Sequence, residues 1–441
     1  MRFQEYKEET ETSIRDLTNK RVLISLEYPP GSDGGIQRTV LSFTEFLAQT
    51  GAEVDLVFPQ KISFIKEDFL LIDPNVRTWP IATAANSWPL NKLPNMHEFN
   101  RVFIDITTGG LDSILVNSPD MLGLALIRRL SAEQRRLVNV IWNSPLDIRP
   151  SDLDRISAEE YAKYIATQPL YWLRKWLWMA SGICNLNAVF NSQANKSAFE
   201  KVFPKAKPSK TAIVYPASKL CHNCQVERTD AKSIDESLEN RFTILTTGRI
   251  TRKKGIGRLL HFIPRFDQYL AESYPDRKAG FVIAGDAESP FGAFVKESVG
   301  SINLELKNTK VIVIERPTDR DLCRLYTNAD MFFISSTIEG FGLVTVEAAA
   351  HGLPVIGFNA RGSAELIPYF EQDGYLVDNP NVPMPYEDFV KLSQHITTFM
   401  RLDPASRATV SKRVKEVAIS NFSPESTNQK MADYLFGAQR Q

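Results

Sequence analysis

Several features that mark whole classes of protein are scarce in this 441-residue chain. Its four cysteines are too few to crosslink a chain of this length, so we expect a reducing compartment and no disulfide framework. Its 52 basic and 52 acidic residues cancel, and the lack of a basic excess argues against nucleic acid as a main partner. A neutral total still allows a local basic pocket for one phosphorylated ligand.

Long apolar segments are also missing. Residues 1–20 are charged and have no apolar core, so they do not resemble a signal peptide. Later apolar runs stay short of the ~20 residues that a membrane-spanning helix needs. We therefore expect a cytoplasmic protein, with peripheral contact on the inner face of a membrane as a further option.

The stretch at residues 171–178 is the segment suited to such membrane contact. It contains Trp172, Trp176 and Trp178 with two basic residues between them. We predict that the three tryptophans share one face of a helix that touches lipid, although Trp178 fits the four-residue spacing less well. Packing of this helix against a domain core explains the pattern equally simply.

The rest of the chain alternates between short apolar runs and helical patterns, in two series. The first series has predicted strands at 22–26, 54–58, 114–116, 137–142, 188–191 and 211–215. The second series has predicted strands at 242–246, 280–284, 311–314, 331–335 and 354–358. Strand, loop, helix, strand is the βαβ unit of a parallel sheet.

This pattern predicts an α/β protein with two Rossmann-like domains that face each other across a cleft. The expected parts are an N-terminal extension at 1–20, an N-terminal domain at 21–216, a polar linker at 217–240, a C-terminal domain at 241–420, and a helical segment at 421–441 that would pack back on the first domain. In the linker, Cys221 and Cys224 flank His222 at a spacing that suits zinc. No second Cys or His pair lies nearby, so we favour a polar loop and expect no metal.

The strongest local pattern is the segment from Glu339 to Glu347. It follows an apolar strand, contains Gly340 and Gly342 for a tight turn, and continues as a small apolar helix in which Glu347 is the sole charge. A buried carboxylate needs donors, which ligand hydroxyls or a structural ion pair would supply. A helix start beside it would suit phosphate.

A second pattern, Gly248 to Gly255, follows the first strand of the second series. It carries Arg249 and Lys254 among four basic residues, at a strand end where α/β proteins bind ligands. A fork-shaped Arg and a compact Lys charge suit a diphosphate, and a solvated basic turn is the alternative. The Gly34-Gly35 pair after the first strand is weaker, because a plain tight turn also explains it and no GxGxxG motif is present.

Together these segments resemble the retaining GT-B glycosyltransferases of the large group 1 family that includes sucrose synthase and many bacterial mannosyltransferases and glucosyltransferases. The resemblance runs from about residue 21 to the C-terminus. Its most specific part is the Glu-x7-Glu segment in SSTIEGFGLVTVEAAAHGLPVIGFNARGSAELI, followed by GRITRKKG. Weaker similarity lies in FNSQANKSAF and IVYPASKL.

The resemblance implies a role for each matching position. Glu347 would hold the donor ribose, and Glu339 would lie beside the donor sugar. Arg249 and Lys254 would neutralise the diphosphate. Gly35 would shape the loop under that diphosphate, and backbone amides from Phe341, Gly342, Leu343 and Val344 would complete the anion site.

One position departs from the family. A histidine that contacts the donor sugar often follows the strand that here ends in VNVIWNSPLD, and Asn143 takes its place. Asparagine can bind a hydroxyl group but cannot carry positive charge. A catalytically weak sugar-nucleotide-binding or partner protein on the same fold is therefore the alternative, and a GT-B epimerase or phosphorylase is a third.

The resemblance implies transfer with retention of anomeric configuration and without a metal or other cofactor. The donor would be a nucleotide diphosphate sugar of unknown base. The acceptor would be a sugar, a lipid-linked molecule or a protein.

Overall fold

The computed structural model describes residues 16–27, 35–60, 73–83, 94–117, 120–143, 158–217, 235–370, 373–377 and 384–437. Of the expected parts, residues 218–234 of the 217–240 linker, including the Cys221–His222–Cys224 cluster, lie outside these ranges. No helix among the described residues is both long and apolar enough to cross a bilayer.

The N-terminal domain is built on a parallel sheet of seven strands in the order β3-β2-β1-β4-β5-β6-β7. Apolar runs form its centre, since β1 and β4 are almost entirely buried. The strands are β1 (Arg21–Leu26), β2 (Glu53–Gln60), β3 (Val76–Ala82), β4 (Ser113–Asn117), β5 (Val138–Trp142), β6 (Asn187–Phe190) and β7 (Thr211–Ile213).

Six α-helices accompany this sheet within the described ranges. They are α1 (Gly35–Gln49), α2 (Met96–Thr107), α3 (Met121–Arg129), α4 (Ala132–Arg135), α5 (Ala158–Ala180) and α6 (Gln193–Val202). Helix α1 links β1 to its parallel neighbour β2, as the βαβ pattern predicted. Polar side chains cap several of these helices at their first turn, for example Asp120 on α3 and Ser192 on α6.

The C-terminal domain has a six-stranded parallel sheet in the order β10-β9-β8-β11-β12-β13. Its strands are β8 (Phe242–Thr247), β9 (Ala279–Gly285), β10 (Thr309–Glu315), β11 (Met331–Ile334), β12 (Val355–Phe358) and β13 (Gly374–Val377). This strand order is that of a doubly wound Rossmann-like sheet, and it reverses direction between β8 and β11.

Eight α-helices follow in the described part of the C-terminal half. They are α7 (Ile256–Ser273), α8 (Pro290–Ile302), α9 (Asp319–Asn328), α10 (Leu343–Ala350), α11 (Ile367–Phe370), α12 (Tyr386–Arg401), α13 (Pro404–Phe422) and α14 (Pro424–Phe436). Buried apolar clusters lie on both faces of each sheet. The fold class predicted from the sequence, two Rossmann-like domains, is therefore confirmed.

The last two helices divide between the domains. Helix α13 buries Val414, Ala418 and Phe422 in the core of the C-terminal domain. Helix α14 contributes Ala432 and Tyr434 to the core of the N-terminal domain, where it lies against α1. The chain therefore returns to its first domain within the short turn that separates α13 from α14.

The prediction for the three tryptophans is wrong for Trp178. Trp172 and Trp176 are 59% and 58% exposed, but Trp178 is 1% exposed. Its ring meets that of Trp142 edge to face, with centroids 5.4 Å apart. Two residues advance an α-helix by about 200°, so Trp178 lies on the face opposite Trp176.

This burial generates a prediction about stability. Trp178→Ala should lower the free energy of unfolding by about 3–5 kcal/mol, because it leaves a cavity beside Trp142. Trp176→Ala is the matched control and should change it by less than about 0.5 kcal/mol. Denaturant unfolding followed by circular dichroism measures both. Equal losses in the two variants would contradict the assigned burial.

Candidate functional site

The two strongest sequence patterns meet between β8 and β11, where the strand order of the second sheet reverses. The segment 248–255, called the β8 loop here, follows β8, and the segment 335–342, called the β11 loop, follows β11. Strands β8 and β11 are parallel neighbours, so both loops leave the same edge of the sheet. In open α/β sheets, ligands bind in the crevice at this edge.

Hydrogen bonds join the two loops into one unit. The Ser335 hydroxyl donates to the Lys254 carbonyl oxygen at 2.7 Å. The Thr337 amide and hydroxyl both donate to the Lys253 carbonyl oxygen at 3.1 Å. Gly255 has φ of +62°, and a Cβ there would overlap the Ser335 carbonyl oxygen, so only glycine permits this approach.

An ion pair forms the centre of this unit. The Lys254 ammonium lies 2.6 Å from Glu339 Oε1, and the Ser336 hydroxyl donates to the same oxygen at 2.6 Å. The Lys254 and Glu339 side chains are 24% and 15% exposed. Both bonds reach Oε1, and Oε2 accepts none from the described residues. One carboxylate oxygen is therefore available to a ligand.

The charges around Glu339 are mostly positive. Burial alone would raise the pKa of Glu339, but the Lys254 charge, the hydrogen bonds from Lys254 and Ser336, and the charge of Lys253 hold it below its ordinary value. Burial lowers the pKa of Lys253, Glu339 opposes that shift, and Lys254 and Arg249 add to it. Lys253 and Lys254 thus lie close to one carboxylate and Arg249 lies close to Lys253, which leaves net positive charge for an anion.

The basic side chains of the β8 loop divide between two directions. The Arg252 guanidinium lies over the Phe291 ring, 4.6 Å from its centroid, and so points towards α8. The Arg249 side chain is exposed and has neither an ion pair nor a hydrogen bond among the described residues. Of the two arginines, Arg249 is the one placed to take an external anion.

The start of α10 borders the same crevice. Its N-cap, Gly342, has φ of +97°, and in the described part of the chain no side chain caps the helix. Phe341 and Gly342 are buried, and Leu343 and Val344 are half-buried. The Thr345 and Ser363 hydroxyls next to Gly342 are fully buried and have no hydrogen-bond partner among the described residues.

Glu347 lies one turn further along α10 and is 7% exposed. Its Oε2 accepts a hydrogen bond from the Tyr326 hydroxyl at 3.1 Å, and that hydroxyl also lies 2.7 Å from the Thr247 hydroxyl. The Glu347 carbonyl oxygen lies 2.7 Å from His351 Nδ1. The carboxylate is thus held in place by buried polar groups at the end of β8 and on α9.

Asn143 faces this site from the N-terminal domain. It is 9% exposed, and its amide nitrogen donates to Asn117 at the end of the neighbouring strand β4. The backbone carbonyl oxygen of Asn143 accepts a hydrogen bond from the Asn191 side chain at 3.1 Å. A Cβ added at Gly340 would lie 2.6 Å from the same backbone oxygen. The two domains therefore meet closely where Asn143 contacts the β11 loop.

Not every predicted position can be placed. Gly35 begins α1 at the carboxyl end of β1, but residues 28–34 before it lie outside the described ranges. The structure brings together Arg249, Lys254, Glu339 and the residues of α10, with Asn143 opposite. Among the described residues no group of three or more His, Cys, Asp or Glu side chains is arranged to hold a metal.

Several polar residues at the site carried no signal in sequence. Ser336, Thr345 and Ser363 are small hydroxyl residues in otherwise apolar or glycine-rich segments, where such residues are common. Asn117 ends a buried strand, and only its position at the carboxyl edge of the predicted sheet could have drawn attention to it.

Comparison with known proteins gives a consistent result. Residues 227–395 match the sequence model of the family described as Glycosyl transferases group 1. An uncharacterized glycosyltransferase of Haemophilus influenzae is 22% identical over 380 residues, which cover 86% of this chain and 92% of that protein. An alpha-1,3/1,6-mannosyltransferase of Debaryomyces hansenii is 26% identical over 243 residues, half of each chain.

Solved structures agree at the level of the fold. The crystal structure of HepE from Anabaena, in complex with UDP and glucose, superposes with a TM-score of 0.64 at 19% identity. The match covers 95% of this chain and all of that one. The C-terminal domain therefore matches the family of glycosyl transferases group 1, and the two domains have the GT-B fold.

Proposed function

We propose that the protein transfers a sugar from a nucleotide diphosphate donor to a sugar, lipid-linked or protein acceptor, with retention of anomeric configuration. The observation that carries this proposal is the positive charge at the reversal point of the second sheet. There the β8 loop, with Arg249 and Lys254, is bonded to the β11 loop, which leads into α10, a helix that no described side chain caps. Such a site suits a diphosphate. The match of residues 227–395 to the group 1 family and the UDP in the HepE structure support the same class of donor.

Each site residue has a role in this proposal. Arg249 binds the diphosphate, and Lys254 does so with the N–H donors that Glu339 does not engage. Oε2 of Glu339 accepts from a hydroxyl of the donor sugar. Glu347 binds the ribose. The amides of Phe341, Gly342, Leu343 and Val344 complete the anion site, Gly35 shapes the loop beneath it, and Asn143 binds a hydroxyl of the donor sugar from the opposite domain.

The proposed reaction breaks the bond between the anomeric carbon and the diphosphate oxygen through an oxocarbenium-like transition state. Negative charge grows on the departing phosphate beside Arg249 and Lys254. Their stabilisation is therefore larger in the transition state than in the ground state. The acceptor oxygen attacks the same face, and its proton passes to the departing phosphate. No metal or other cofactor takes part.

A thermal-shift screen of UDP-, GDP- and ADP-sugars tests donor binding, since a ligand of the native state raises its melting temperature. The best ligand should bind Arg249→Ala about 10- to 100-fold more weakly, through loss of charge-assisted hydrogen bonds. Arg252→Ala is the matched control, because Arg252 lies over Phe291, and it should lose much less. Equal losses, or no binding of any donor by the wild type, would refute the site.

Donor hydrolysis separates an enzyme from a sugar-nucleotide-binding protein. With acceptor left out, the proposed transferase should release free sugar slowly from the donor that stabilises it. The rival binding protein, which Asn143 in place of a histidine favours, would bind the donor and leave it intact. An intact donor after prolonged incubation would therefore establish the rival.

The ribose role of Glu347 has its own test. Glu347→Gln should weaken nucleoside diphosphate binding by about 1.5–3 kcal/mol, or ten- to hundredfold, because an amide is a poorer partner than a carboxylate for two hydroxyl donors. The melting temperature should change little, since the amide oxygen can still accept from Tyr326. Titration calorimetry beside a thermal melt measures both quantities.

Glu315→Gln is the control for Glu347→Gln. It removes a carboxylate from an ion pair with Lys296 in the same domain, where both side chains are 44% exposed. That variant should bind nucleotide as the wild type does. A Glu347→Gln protein that melts earlier yet binds normally would show that the carboxylate is structural.

We also propose that α5 contacts an anionic lipid surface. Trp172, Leu173, Trp176 and Met179 are each at least half exposed. Their spacing places them along one side of the helix. The Lys175 ammonium lies 5.1 Å from the centre of the exposed Trp172 ring, so positive charge adjoins the apolar side chains. Aromatic rings with adjacent cations favour the interface of an anionic bilayer.

Vesicle sedimentation tests the lipid proposal. The wild type should pellet with vesicles that contain phosphatidylglycerol and remain free of neutral ones at low salt. Trp172→Ser together with Trp176→Ser should abolish pelleting without lowering the melting temperature, because both side chains are more than half exposed. Pelleting that these substitutions leave unchanged would rule out α5 as the contact.

A further inference from the structure

A carboxylate of the C-terminal domain accepts hydrogen bonds from the start of a helix of the N-terminal domain. Glu365 accepts hydrogen bonds from the backbone amides of Gln193 and Ala194, at 2.8 and 2.5 Å. These are the first two amides of α6, which have no partner within a helix. The Tyr215 hydroxyl donates to the same carboxylate at 3.3 Å. A negative charge at a helix start is also favoured by the helix dipole.

Both domains thus supply hydrogen-bond acceptors for the first backbone amides of α6. Within its own domain, Ser192 accepts from the amide of Asn195, the third residue of the helix, at 3.0 Å. The amides of Gln193 and Ala194 bond to Glu365 instead. If the domains separated, these two amides would exchange the carboxylate for water. The contact therefore depends on the relative position of the domains.

Glu365 is closely connected to the β11 loop. It ends a short 3₁₀ turn, Gly362–Glu365, that follows directly on Arg361. The Gly362 amide donates to the Glu339 carbonyl oxygen at 3.2 Å, and the Glu339 amide donates to Ala360 at 2.8 Å. The backbone that positions Glu365 is therefore hydrogen-bonded to the residue that holds Lys254.

An aromatic contact makes a second connection. Tyr215 of the N-terminal domain stacks on Phe341 of the β11 loop, with ring centroids 5.2 Å apart. Burial and the charge of Glu365 raise the pKa of Tyr215 to about 12, so its hydroxyl remains a donor at neutral pH. Tyr215 thus touches both Glu365 and the residue before Gly342.

We propose that Glu365, Gln193, Ala194 and Tyr215 form an interdomain latch that sets the position of the β11 loop. With the latch engaged, α6 holds the turn that carries Glu365, and this turn holds the backbone of Glu339 and Gly340. Release of the latch frees the loop to shift. Domain closure and order at the donor site are thereby coupled. The effect on donor binding rests on the proposed function, whereas the coupling itself does not.

Gln193→Pro weakens the latch by a change in the N-terminal domain alone. Gln193 is the first residue of α6, where proline is well accommodated, and Ser192 before it is already extended, with φ −167° and ψ 159°. The substitution removes one N–H donor to Glu365 and keeps the helix. Gln193→Ala is the matched control, because it removes the same side chain and retains the donor.

Hydrogen exchange measures the coupling. Gln193→Pro should raise exchange severalfold in peptides that cover residues 338–345 of the other domain, and Gln193→Ala should leave it unchanged. Peptides within residues 196–202 report whether α6 remains folded. Equal exchange at 338–345 in both variants would overturn the latch. Should the proline variant unfold α6, Tyr215→Phe replaces it, since this change removes only a hydroxyl from Glu365 and keeps the ring.

Nucleotide binding is the second measurement. UDP, GDP and ADP are first tested on the wild type, and the nucleotide that binds is then used for the two variants. Gln193→Pro should bind it severalfold more weakly than Gln193→Ala, and equal affinities would contradict coupling to the donor site. If none of the three nucleotides binds the wild type, the proposed function fails. The exchange comparison still decides the latch in that case, because it needs no ligand.

Discussion

The ion pair between Lys254 and Glu339 is the interaction on which the rest of the site depends. It joins the loops that follow β8 and β11, two neighbouring strands that lie on either side of the point where the sheet order reverses. Without this pair, the two loops, which leave the sheet at its reversal point, would not hold the crevice in a fixed shape. The pair, with the Ser335 and Thr337 hydrogen bonds, fixes the positions of a cation and a carboxylate within that crevice.

A buried ion pair is seldom a source of net stability, because two charges lose their hydration. Here both partners keep part of their exposure, and Lys253 and Arg249 add positive charge nearby. The arrangement is therefore better explained by ligand binding than by folding. An anion that enters the crevice would be met by the excess of positive charge while Glu339 holds Lys254 in place.

Much of the fold followed from local pattern, because buried parallel strands are continuous apolar runs. Eleven of the thirteen strands were predicted within two residues at each end. The two that were missed, β3 and β13, are both edge strands. Their residues are mostly half-buried or exposed, so they lack the apolar run that identifies a central strand. Helix α2 was missed as well.

Sequence patterns could point to the candidate site only where its residues are close in sequence. Arg249, Lys254, Glu339 and Glu347 lie in two short segments with distinctive spacing. The contact between Glu365 and α6 joins residues 172 and 171 positions apart, and nothing local marks it. The prediction for Trp178 was wrong for a related reason. Its burial depends on the ring of Trp142, which is distant in sequence, and nothing in the neighbouring residues indicates that contact.

The most direct test of the central claim is a crystal structure of the protein with a bound nucleoside diphosphate. The account predicts diphosphate oxygens within hydrogen-bond distance of Lys254, Arg249 and the first amides of α10, with the pair between Lys254 and Glu339 kept. A diphosphate bound elsewhere would contradict it.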